Sequence, residues 1–422
     1  MRAPCDGGVV NAPLSAAHDS ETLSDYRDPD PFEVEAHGHT FRFYPRGKDR
    51  IEALIDVIES AKETLNCFYF EYAEDDAGAR VRDALTEAAK RGVAVKLYID
   101  AFGSMAEPPF FESLVEAGGT FSRFESKFSK RFLIRNHQKM CIADNARVMA
   151  GGFNITSEYF DTAANDGWKD LGVKITGPLV QRYTDWFACI DEWINSDGSE
   201  YRKIREMVRD WDPGDGPVQL IMGGPTSVTS EWARAFKRDI SGADRIDAVT
   251  AYFAPPRSMR QVLRRAGRRK KLRMILASKS DFAVTVLAAR LHYRSMVKSG
   301  IRLFEYQPSK LHMKLMVLDD ICHFGSGNLD MRSVRLNLEI MVRVEDAEMA
   351  AKLRALIDDM EEVSRPVDKS WFQQYAGFTD RLRWYVSSFM LRFVDYNLSR
   401  KLNLGPTRLK NASRHHPEPA DE

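Results

Sequence analysis

The sequence has no excess of charge of either sign. Its 422 residues include 61 lysines and arginines and 61 aspartates and glutamates, so the formal net charge is zero. A protein dedicated to nucleic acid usually carries a strong positive field over much of its surface. The balance therefore argues against a nucleic-acid partner, and none is expected, although a local basic patch is compatible with it.

Long apolar runs and paired cysteines are also lacking. No segment reaches the roughly 18 uncharged apolar residues of a membrane span, and no apolar stretch of signal-peptide length lies near the N-terminus. We therefore expect a chain that is neither membrane-spanning nor secreted through such a signal. The five cysteines show no CxxC or zinc-ligand spacing, which favours a reducing, cytoplasmic compartment.

What is present is typical of a folded protein with more than one domain. Apolar residues make up 44% of the chain and aromatic residues 11%, and 422 residues exceed one ordinary core. Residues 1–36 are small, polar and acidic, which predicts a disordered tail. The Pro- and Gly-rich residues 211–217 predict a linker between a first half at 37–210 and a second half at 218–365. Residues 366–422 form a C-terminal amphipathic helical segment and a polar tail.

An internal repeat relates the two halves. Residues 66–104 have the pattern strand, loop, helix and strand, and residues 245–281 repeat that order. In the first copy, Val81, Leu85 and Ala88 lie on one face of the predicted helix. Each copy is a βαβ unit, whose parallel strands must be covered on both faces. The predicted fold class is therefore α/β.

A second repeated pattern, HxKxxxxD followed by a glycine turn and asparagine, comes after each βαβ unit. Its residues are, in the first half, His137, Lys139, Asp144 and Asn154, and, in the second half, His312, Lys314, Asp319, Ser326 and Asn328. The two motif histidines are 175 positions apart, from 137 to 312. This spacing indicates a duplication that has either one site in each half or one shared site.

The motif spacing favours an anion-binding site. Side chains alternate along a strand, so His137 and Lys139 share one face, as do His312 and Lys314. The strands are otherwise apolar, and burying a lysine without a counter-charge is costly. A lysine ammonium beside each histidine would repel a metal cation, so no metal or other cofactor is expected. Phosphate is the natural ligand, bound by the lysines, the two asparagines and Ser326.

The motif aspartates are less well placed for chemistry than two other acids. Asp144 and Asp319 fall at the turns of predicted hairpins, where aspartate commonly holds the turn or a strand end. Asp170 and Glu339 each lie on a strand-like run after the asparagine of their half. We therefore expect Asp170 and Glu339 to orient the histidines, as the carboxylate does in a catalytic triad.

On these residues the sequence resembles the phospholipase D superfamily, and within it the cardiolipin synthase branch. The resemblance covers roughly residues 40–365, and its most specific stretch is GSGNLDMRSVRLNLE, at 325–339. Other matches are YIDAFGS, GGFNITSEYF and WKDLGVKITGP in the first half. The span from Asp319 to Asn328 is one residue shorter than that from Asp144 to Asn154, which leaves His312 and Lys314 in phase.

The resemblance implies a fold, a mechanism and a substrate class. Two halves, each a mixed sheet flanked by helices, would face each other about a pseudo-twofold axis, with one active site at their interface. One histidine would attack the phosphorus to form a phosphohistidine, and His137 is favoured because the N-terminal motif has this role in relatives. The other would protonate the departing alcohol and later deprotonate the incoming one. With a histidine pKa near 6.5, this scheme predicts one neutral and one charged imidazole and a bell-shaped pH profile.

Three functions agree with this resemblance. The first is a phosphatidyltransferase that converts two phosphatidylglycerol molecules, or another phospholipid pair, into cardiolipin. The second is a hydrolase that releases phosphatidic acid, and the third is a phosphodiesterase or nuclease of the same fold. The residues favour lipid, because the chain lacks positive net charge and carries an amphipathic C-terminal segment.

The C-terminal segment is where contact with a bilayer is expected. Leu382, Tyr385, Val386 and Phe389 fall on one helical face, while Trp384 lies opposite. Two interpretations stand, an interfacial helix that binds the membrane and a helix that only covers the second half. The first predicts a cytoplasmic protein that is peripheral on the inner face of the cell membrane.

Overall fold

The computed structural model describes residues 26–125, 134–196, 201–226 and 230–403, with side chains as far as residue 391. Cys5 and most of the predicted N-terminal tail lie outside these residues. Within them, two halves of the same construction lie against each other. The α/β class and the two-halved architecture predicted from the sequence are confirmed.

The described residues of the first half form nine strands, five helices and three short 3-10 turns at 108–111, 157–159 and 163–165. Its strands are β1 (Phe32–Ala36), β2 (His39–Tyr44), β3 (Thr64–Tyr69), β4 (Ala94–Asp100), β5 (Thr120–Phe124), β6 (Lys139–Ala143), β7 (Arg147–Gly151), β8 (Trp168–Lys169) and β9 (Gly172–Thr176). Its helices are α1 (Gly47–Glu59), α2 (Asp76–Lys90), α3 (Glu112–Glu116), α4 (Leu179–Asn195) and α5 (Tyr201–Asp210).

The second half follows residues 211–217, which contain no helix or strand. Its strands are β10 (Val218–Gly223), β11 (Arg245–Thr250), β12 (Phe253–Ala254), β13 (Lys271–Ala277), β14 (Arg302–Tyr306), β15 (Lys310–Leu311), β16 (Lys314–Leu318), β17 (Ile321–Gly325), β18 (Leu329–Asp330), β19 (Glu339–Glu345) and β20 (Ser364–Pro366). Its helices are α6 (Glu231–Gly242), α7 (Arg257–Arg269), α8 (Ala283–Val297), α9 (Met331–Arg335), α10 (Ala347–Glu362), α11 (Lys369–Tyr375) and α12 (Phe378–Asn403).

Each half is built on one eight-stranded mixed sheet. The strand orders are β1-β2-β9-β7-β6-β3-β4-β5 and β10-β19-β17-β16-β11-β13-β14-β20. The run β9-β7-β6-β3-β4-β5 corresponds strand for strand to β19-β17-β16-β11-β13-β14, with the same parallel and antiparallel pairs. The halves differ at the sheet edges, where β1 and β2 flank one sheet and β10 and β20 close the other.

Three apolar layers explain why the strand sequences are continuous runs of hydrophobic residues. One cluster fills the space between the two sheets and includes Trp186 of α4 and Leu353 of α10. The other two cover the outer sheet faces, beneath α1 and α2 in the first half and beneath α6, α7 and α8 in the second. Both faces of each sheet are therefore buried, as a parallel α/β sheet requires.

The predicted tail boundary at residue 36 is wrong. Residues 32–36 form β1, which pairs with β2 from Phe32 opposite Phe43 to Ala36 opposite His39. Val34 and Ala36 point into the core between the sheets, and their burial is what orders this segment. The first half therefore begins at or before Phe32.

Candidate active site at the interface of the two halves

The motif lysines lie at the starts of the central strands of the two sheets. Lys139 opens β6, which lies between β7 and β3, and Lys314 opens β16, which lies between β17 and β11. Every residue of both strands is buried, and the two lysines are 0% and 2% exposed. Rigid, fully covered strands thus deliver both ammonium groups to the interior.

The motif histidines precede these strands by two residues, and the structure brings them together. The ring centroids of His137 and His312 are 6.4 Å apart, although 174 residues separate them along the chain. Both rings are buried, with 7% and 3% of the residue surface exposed. The two HxKxxxxD motifs therefore form one shared site rather than one site in each half.

Each histidine is held by the opposite half of the molecule. The backbone N–H of His137 donates to the carbonyl of Leu338 (2.9 Å), and that of His312 donates to the carbonyl of Lys169 (2.8 Å). Glu339 Oε2 lies 3.0 Å from His137 Nδ1, and Asp170 Oδ2 lies 2.7 Å from His312 Nδ1. The carboxylate contacts cross between the halves, so each half supplies the acid for the other half's histidine.

These contacts fix which ring nitrogen of each histidine faces the cleft. A neutral imidazole whose Nδ1 lies beside a carboxylate carries its proton on Nδ1 and donates it to the acid. The lone pair is then on Nε2, which makes no contact with either carboxylate. Both histidines consequently present a nucleophilic or basic Nε2.

Both imidazoles are neutral at pH 7 in the free site, which differs from the expectation of one neutral and one charged ring. Burial lowers the pKa of His137 to about 4, with help from Lys139 and against the opposing effect of Glu339. Burial and the Lys314 ammonium lower the pKa of His312 to about 3, against Asp170. At both rings burial is the largest cause, and with the help of the lysines it outweighs the carboxylates.

The lysines carry the positive charge of the site. Burial and the mutual repulsion of the ammonium groups lower the pKa of Lys139 to about 7, and burial lowers that of Lys314 to about 8. Lys139 Nζ donates to the carbonyl of His137 at 2.5 Å. Lys314 Nζ lies against the His312 ring, 2.7 Å from Nδ1 and 2.9 Å from Nε2. An anion entering between them would stabilise both charged forms.

The acids beside the histidines are ionised. Burial would raise the pKa of Asp170, but Lys314 and His312 outweigh it and lower the value to about 2. Burial likewise acts against ionisation of Glu339, and His137 and Lys139 overcome it, so its pKa is also lowered. The interior therefore contains two carboxylates and two ammonium groups, which balance in charge.

The motif aspartates lie away from the histidines and hold the hairpins to neighbouring chain. Asp144 follows β6 in a left-handed conformation (φ 52°) and accepts from the backbone N–H groups of residues 62, 63 and 64 at 2.8–3.1 Å. Asp319 follows β16 (φ 48°) and accepts from those of residues 244 and 245 at 2.9 and 2.8 Å. Each aspartate thus ties its hairpin turn to the start of the neighbouring antiparallel strand, β3 or β11.

Ser326, predicted to bind phosphate, is placed differently. Its hydroxyl donates to Glu339 Oε2 at 2.5 Å and accepts from the Ile340 N–H at 3.0 Å, while its carbonyl lies 3.2 Å from His137 Nδ1. The single hydroxyl proton is therefore committed to the acid behind His137. Ser326 supports the orienting carboxylate, and we correct its assignment accordingly.

The two asparagines differ in how free they are to bind phosphate. Asn154 Nδ2 donates to Glu71 Oε2 at 2.9 Å and to the Tyr159 hydroxyl at 3.1 Å, so its donor is already engaged. Asn328 is buried, and among the described residues none accepts from its amide nitrogen or donates to its Oδ1. Asn328 is thus the better placed amide for a ligand.

A family model described as "Cardiolipin synthase, PLD-like domain" matches residues 54–190 and 237–360. These two segments include both motif histidines, both motif lysines and both orienting acids. The chain belongs to the phospholipase D superfamily, in its cardiolipin synthase branch.

Curated relatives agree with this family. The chain is 29% identical over 328 residues to cardiolipin synthase A of Pseudomonas fluorescens, and the aligned region covers 75% of this chain and 67% of the relative. It is 31% identical over 340 residues to the major cardiolipin synthase of Bacillus subtilis, and the aligned region covers 78% of this chain and 70% of the relative.

Solved structures share the fold at low identity. Phosphatidylserine synthase of Haemophilus influenzae superposes with a TM-score of 0.67 over 90% of this chain and 98% of its own, at 14% identity. Polyphosphate kinase of Porphyromonas gingivalis gives a TM-score of 0.55 over 82% of this chain and 52% of its own, at 12% identity.

Sequence reasoning missed the aromatic wall of this phospholipase D-superfamily site. The Phe70 ring lies 4.8 Å from that of His137, and three rings surround His312 at 5.1–6.1 Å, those of Tyr159, Trp168 and Tyr252. Phe70 comes directly after β3, and Tyr252 comes two residues after the end of β11. Aromatic residues at the carboxyl ends of two parallel strands were the available signal.

Glu71 is a further residue that the sequence did not single out, and it has no acidic counterpart. Tyr69 pairs with Lys139 and Thr250 pairs with Lys314, so Glu71 and Tyr252 occupy equivalent positions two residues further on. Burial raises the pKa of Glu71, although Lys139 opposes the shift. The two halves thus place a carboxyl and a phenol at the same point of the cleft.

Proposed function

We propose that this enzyme of the phospholipase D superfamily transfers a phosphatidyl group between phospholipids, through a phosphohistidine intermediate. The expected reaction joins two phosphatidylglycerol molecules into cardiolipin and releases glycerol. One observation carries the proposal. Two neutral imidazoles lie 6.4 Å apart between the halves, each with Nδ1 beside a carboxylate and each accompanied by a lysine.

In the first step, Nε2 of His137 attacks the phosphorus of the donor lipid. A P–N bond forms, the P–O bond to the glycerol headgroup breaks, and His312 supplies the proton that the departing alkoxide needs. The bound phosphodiester anion raises the pKa of His312 from its low value in the free site, because it offsets the two ammonium groups that lower it. Asp170 stabilises the imidazolium that His312 then forms.

In the second step, the now neutral His312 takes a proton from the hydroxyl of the acceptor lipid. The hydroxyl oxygen attacks phosphorus, the P–N bond breaks, and His137 returns to its neutral state. Lys139, Lys314 and the Asn328 amide bind the nonbridging oxygens, where negative charge builds in both transition states. Glu339, itself supported by Ser326, offsets the positive charge on His137 in the intermediate.

Contact with the lipid surface is assigned to α12 and belongs to the same proposal. Trp384, 5% exposed, stacks on Trp371 at a ring distance of 5.9 Å, which anchors the helix to the second half. The opposite face exposes Leu382, Tyr385, Val386, Phe389 and Met390, each more than half exposed. The helix therefore both covers the body and offers an apolar face to a bilayer.

The protein would then act as a peripheral protein on the inner face of the cell membrane. Among the helices that the structure describes, none is long and apolar enough to cross a bilayer. Replacing Leu382, Val386 and Phe389 by glutamine should weaken sedimentation with phospholipid vesicles while leaving the buried Trp384 contact intact. Unchanged sedimentation would remove α12 from the membrane-binding surface.

The reaction is tested by incubating the purified protein with vesicles of phosphatidylglycerol that carries a labelled headgroup. Cardiolipin with an equal amount of free glycerol is the expected result. Phosphatidic acid in place of cardiolipin would mean that water is the acceptor and that the protein is a hydrolase. Loss of lipid turnover together with cleavage of DNA would assign it to nucleic acid instead.

Two controls make this assay specific to the site. The His137→Ala variant should form neither product, which excludes a contaminating lipase. Adding excess glycerol to preformed cardiolipin should regenerate phosphatidylglycerol, because the transfer is reversible when both acceptors are alcohols. A hydrolase would not show this reversal.

A further inference from the structure

Helix α7 is the most unevenly charged element of the described chain. Its 13 residues, Arg257–Arg269, include six arginines and no acidic residue, and Lys270 and Lys271 follow directly. The buried face of the helix is apolar and contains Met259, Leu263 and Ala266. Arg260 contacts His292 and Arg264 contacts Ser299, in α8 and just after it. The other four arginines are exposed, so the outer surface of this amphipathic helix is strongly cationic.

Five of these cations form what we name the α7 basic face: Arg257, Arg265, Arg268, Arg269 and Lys271. All five are exposed, and none makes an ion pair with any carboxylate that the structure describes. Cations near the C-terminus of a helix are favoured by its dipole, which accounts for Arg268 and Arg269 alone. The fold itself gives no reason for the others.

The equivalent helix of the first half shows that the fold does not require this charge. Helix α2 occupies the same place between β3 and β4 and contains three cations and three acids. Each of its cations contacts a carboxylate, Arg80 with Glu52, Arg82 with Asp83 and Lys90 with Glu87, at 2.6–2.8 Å. The equivalent helix of the first half is therefore neutral, and its cations are paired.

Neighbouring residues extend the positive charge. Helix α6 packs against α7, and Lys237 Nζ reaches Ser258 Oγ at 3.3 Å. Burial, with a smaller contribution from the nearby Arg335, lowers the pKa of Lys237. Because the whole chain has zero net charge, this concentration is local.

The α7 basic face and the apolar face of α12 belong to one side of the molecule. Helices α7 and α12 both pack against α8, on the outer face of the second sheet. Cationic side chains beside exposed apolar side chains are the combination that holds peripheral proteins on anionic bilayers. The described residues thus place both kinds of contact on the second half.

We propose that the α7 basic face docks the enzyme onto a bilayer rich in anionic lipid. This deepens the proposed function, on which it rests, because a surface rich in phosphatidylglycerol is itself negatively charged. Nucleic acid is the less favoured partner, since an exposed apolar helix adds nothing to phosphate binding and α7 has no aromatic residue to stack on a base.

The test compares two full-length variants that lose the same charge from different helices. In one, Arg257, Arg265, Arg268 and Arg269 are replaced by glutamine. In the matched control, the four cations of α5 are replaced in the same way: Arg202, Lys203, Arg205 and Arg209. Binding is measured by sedimentation with phosphatidylcholine vesicles that contain or lack phosphatidylglycerol, at low and at high salt.

We expect the α7 variant to lose at least about tenfold in partition onto the anionic vesicles at low salt, because each surface cation adds to the attraction. The loss should shrink at high salt and be absent with phosphatidylcholine alone. The α5 control should stay within about twofold of the unmodified protein. Replacing the same four α7 arginines by lysine should retain binding, which separates charge from any damage to the helix.

Three results would overturn the proposal. They are unchanged binding of the α7 variant, an equal loss in the α5 control, and tighter binding of the unmodified protein to a DNA duplex than to anionic vesicles at the same salt. Sedimentation requires no turnover, so its outcome is independent of whether cardiolipin forms. The lipid-product assay thus tests the proposed reaction, and the sedimentation assay separately tests the docking surface.

Discussion

The two halves share their strands and their motif but not the surroundings of the motif. Each motif lysine donates to the carbonyl of the motif histidine in its own half, but the Lys314 ammonium also lies directly against the ring of His312. A phenol, Tyr252, stands in the second half where the first has the carboxyl of Glu71. The backbone framework of the site is therefore duplicated, while its electrostatics are not, so the two histidines are equipped for different roles.

The largest effect should come from removing either histidine. We expect His137→Ala and His312→Ala each to lower kcat by at least about 10⁴-fold, since nucleophile and proton carrier act as a unit. Rapid quenching with labelled lipid should find the phosphohistidine on His137, and His312→Ala should slow its formation. Label on His312 would reverse the roles that we give to the halves.

Replacing the orienting acids by amides should give the next largest loss of turnover. Glu339→Gln and Asp170→Asn should each lower kcat by about 10²–10⁴-fold with little change in KM, because the amide favours the wrong tautomer. Each substitution should change the NMR titration of the histidine in the opposite half. A variant that perturbs the histidine of its own half would contradict the crossed arrangement.

The pH dependence should be shifted from the usual range of histidine. We expect kcat/KM to fall on the acid side near pH 4, where His137 in the free site takes up a proton, and not near 6.5. Above about pH 4 it should decline steadily, because His312 must take up a proton before it can act as the acid, and more steeply between about pH 7 and 8 as Lys139 and then Lys314 lose their protons. An acid limb at 6 or above would show that the free imidazoles are not held neutral.

The motif aspartates should give the smallest effect on turnover and a measurable one on stability. Asp144→Asn should lower the free energy of unfolding by about 1–3 kcal/mol. The side chain accepts hydrogen bonds from three backbone N–H groups, and a neutral amide oxygen accepts them more weakly than the carboxylate does. Asp319→Asn should lower the free energy of unfolding by a smaller amount, because Asp319 accepts from only two backbone N–H groups in the described structure. Urea unfolding gives the comparison, and a kcat loss above about tenfold in either variant would restore a chemical role.

Much of the site followed from the sequence because strand periodicity is a local property. The shared face of His137 and Lys139 and the structural role of Asp144 depend only on alternation and turn chemistry. Asp170 and Glu339 were identified in the same way, but their crossing between halves was not, since no local pattern reports which of two similar surfaces meet. Ser326 was misassigned because its hydroxyl is satisfied by an acid 13 residues away.

Other differences arose from burial, which a sequence shows poorly. The segment at 32–36 is polar at alternate positions and gains its order only from the core beneath Val34 and Ala36. The low histidine pKa values depend first on burial of both rings between the halves and then on the lysines beside them, and this burial requires both halves. For α12, burial shows that Trp384 covers the second half, while membrane binding by the open opposite face stays a prediction.

The reciprocal bonds of the two histidines have the pattern of an isologous interface, in which a residue on one subunit meets a different residue on its twin and the contact occurs twice. The backbone and carboxylate contacts of His137 recur at His312 with the halves exchanged. In these terms the two halves are related as the subunits of a symmetric dimer would be, joined in one polypeptide by residues 211–217. Either half alone would retain a complete motif and no complete site.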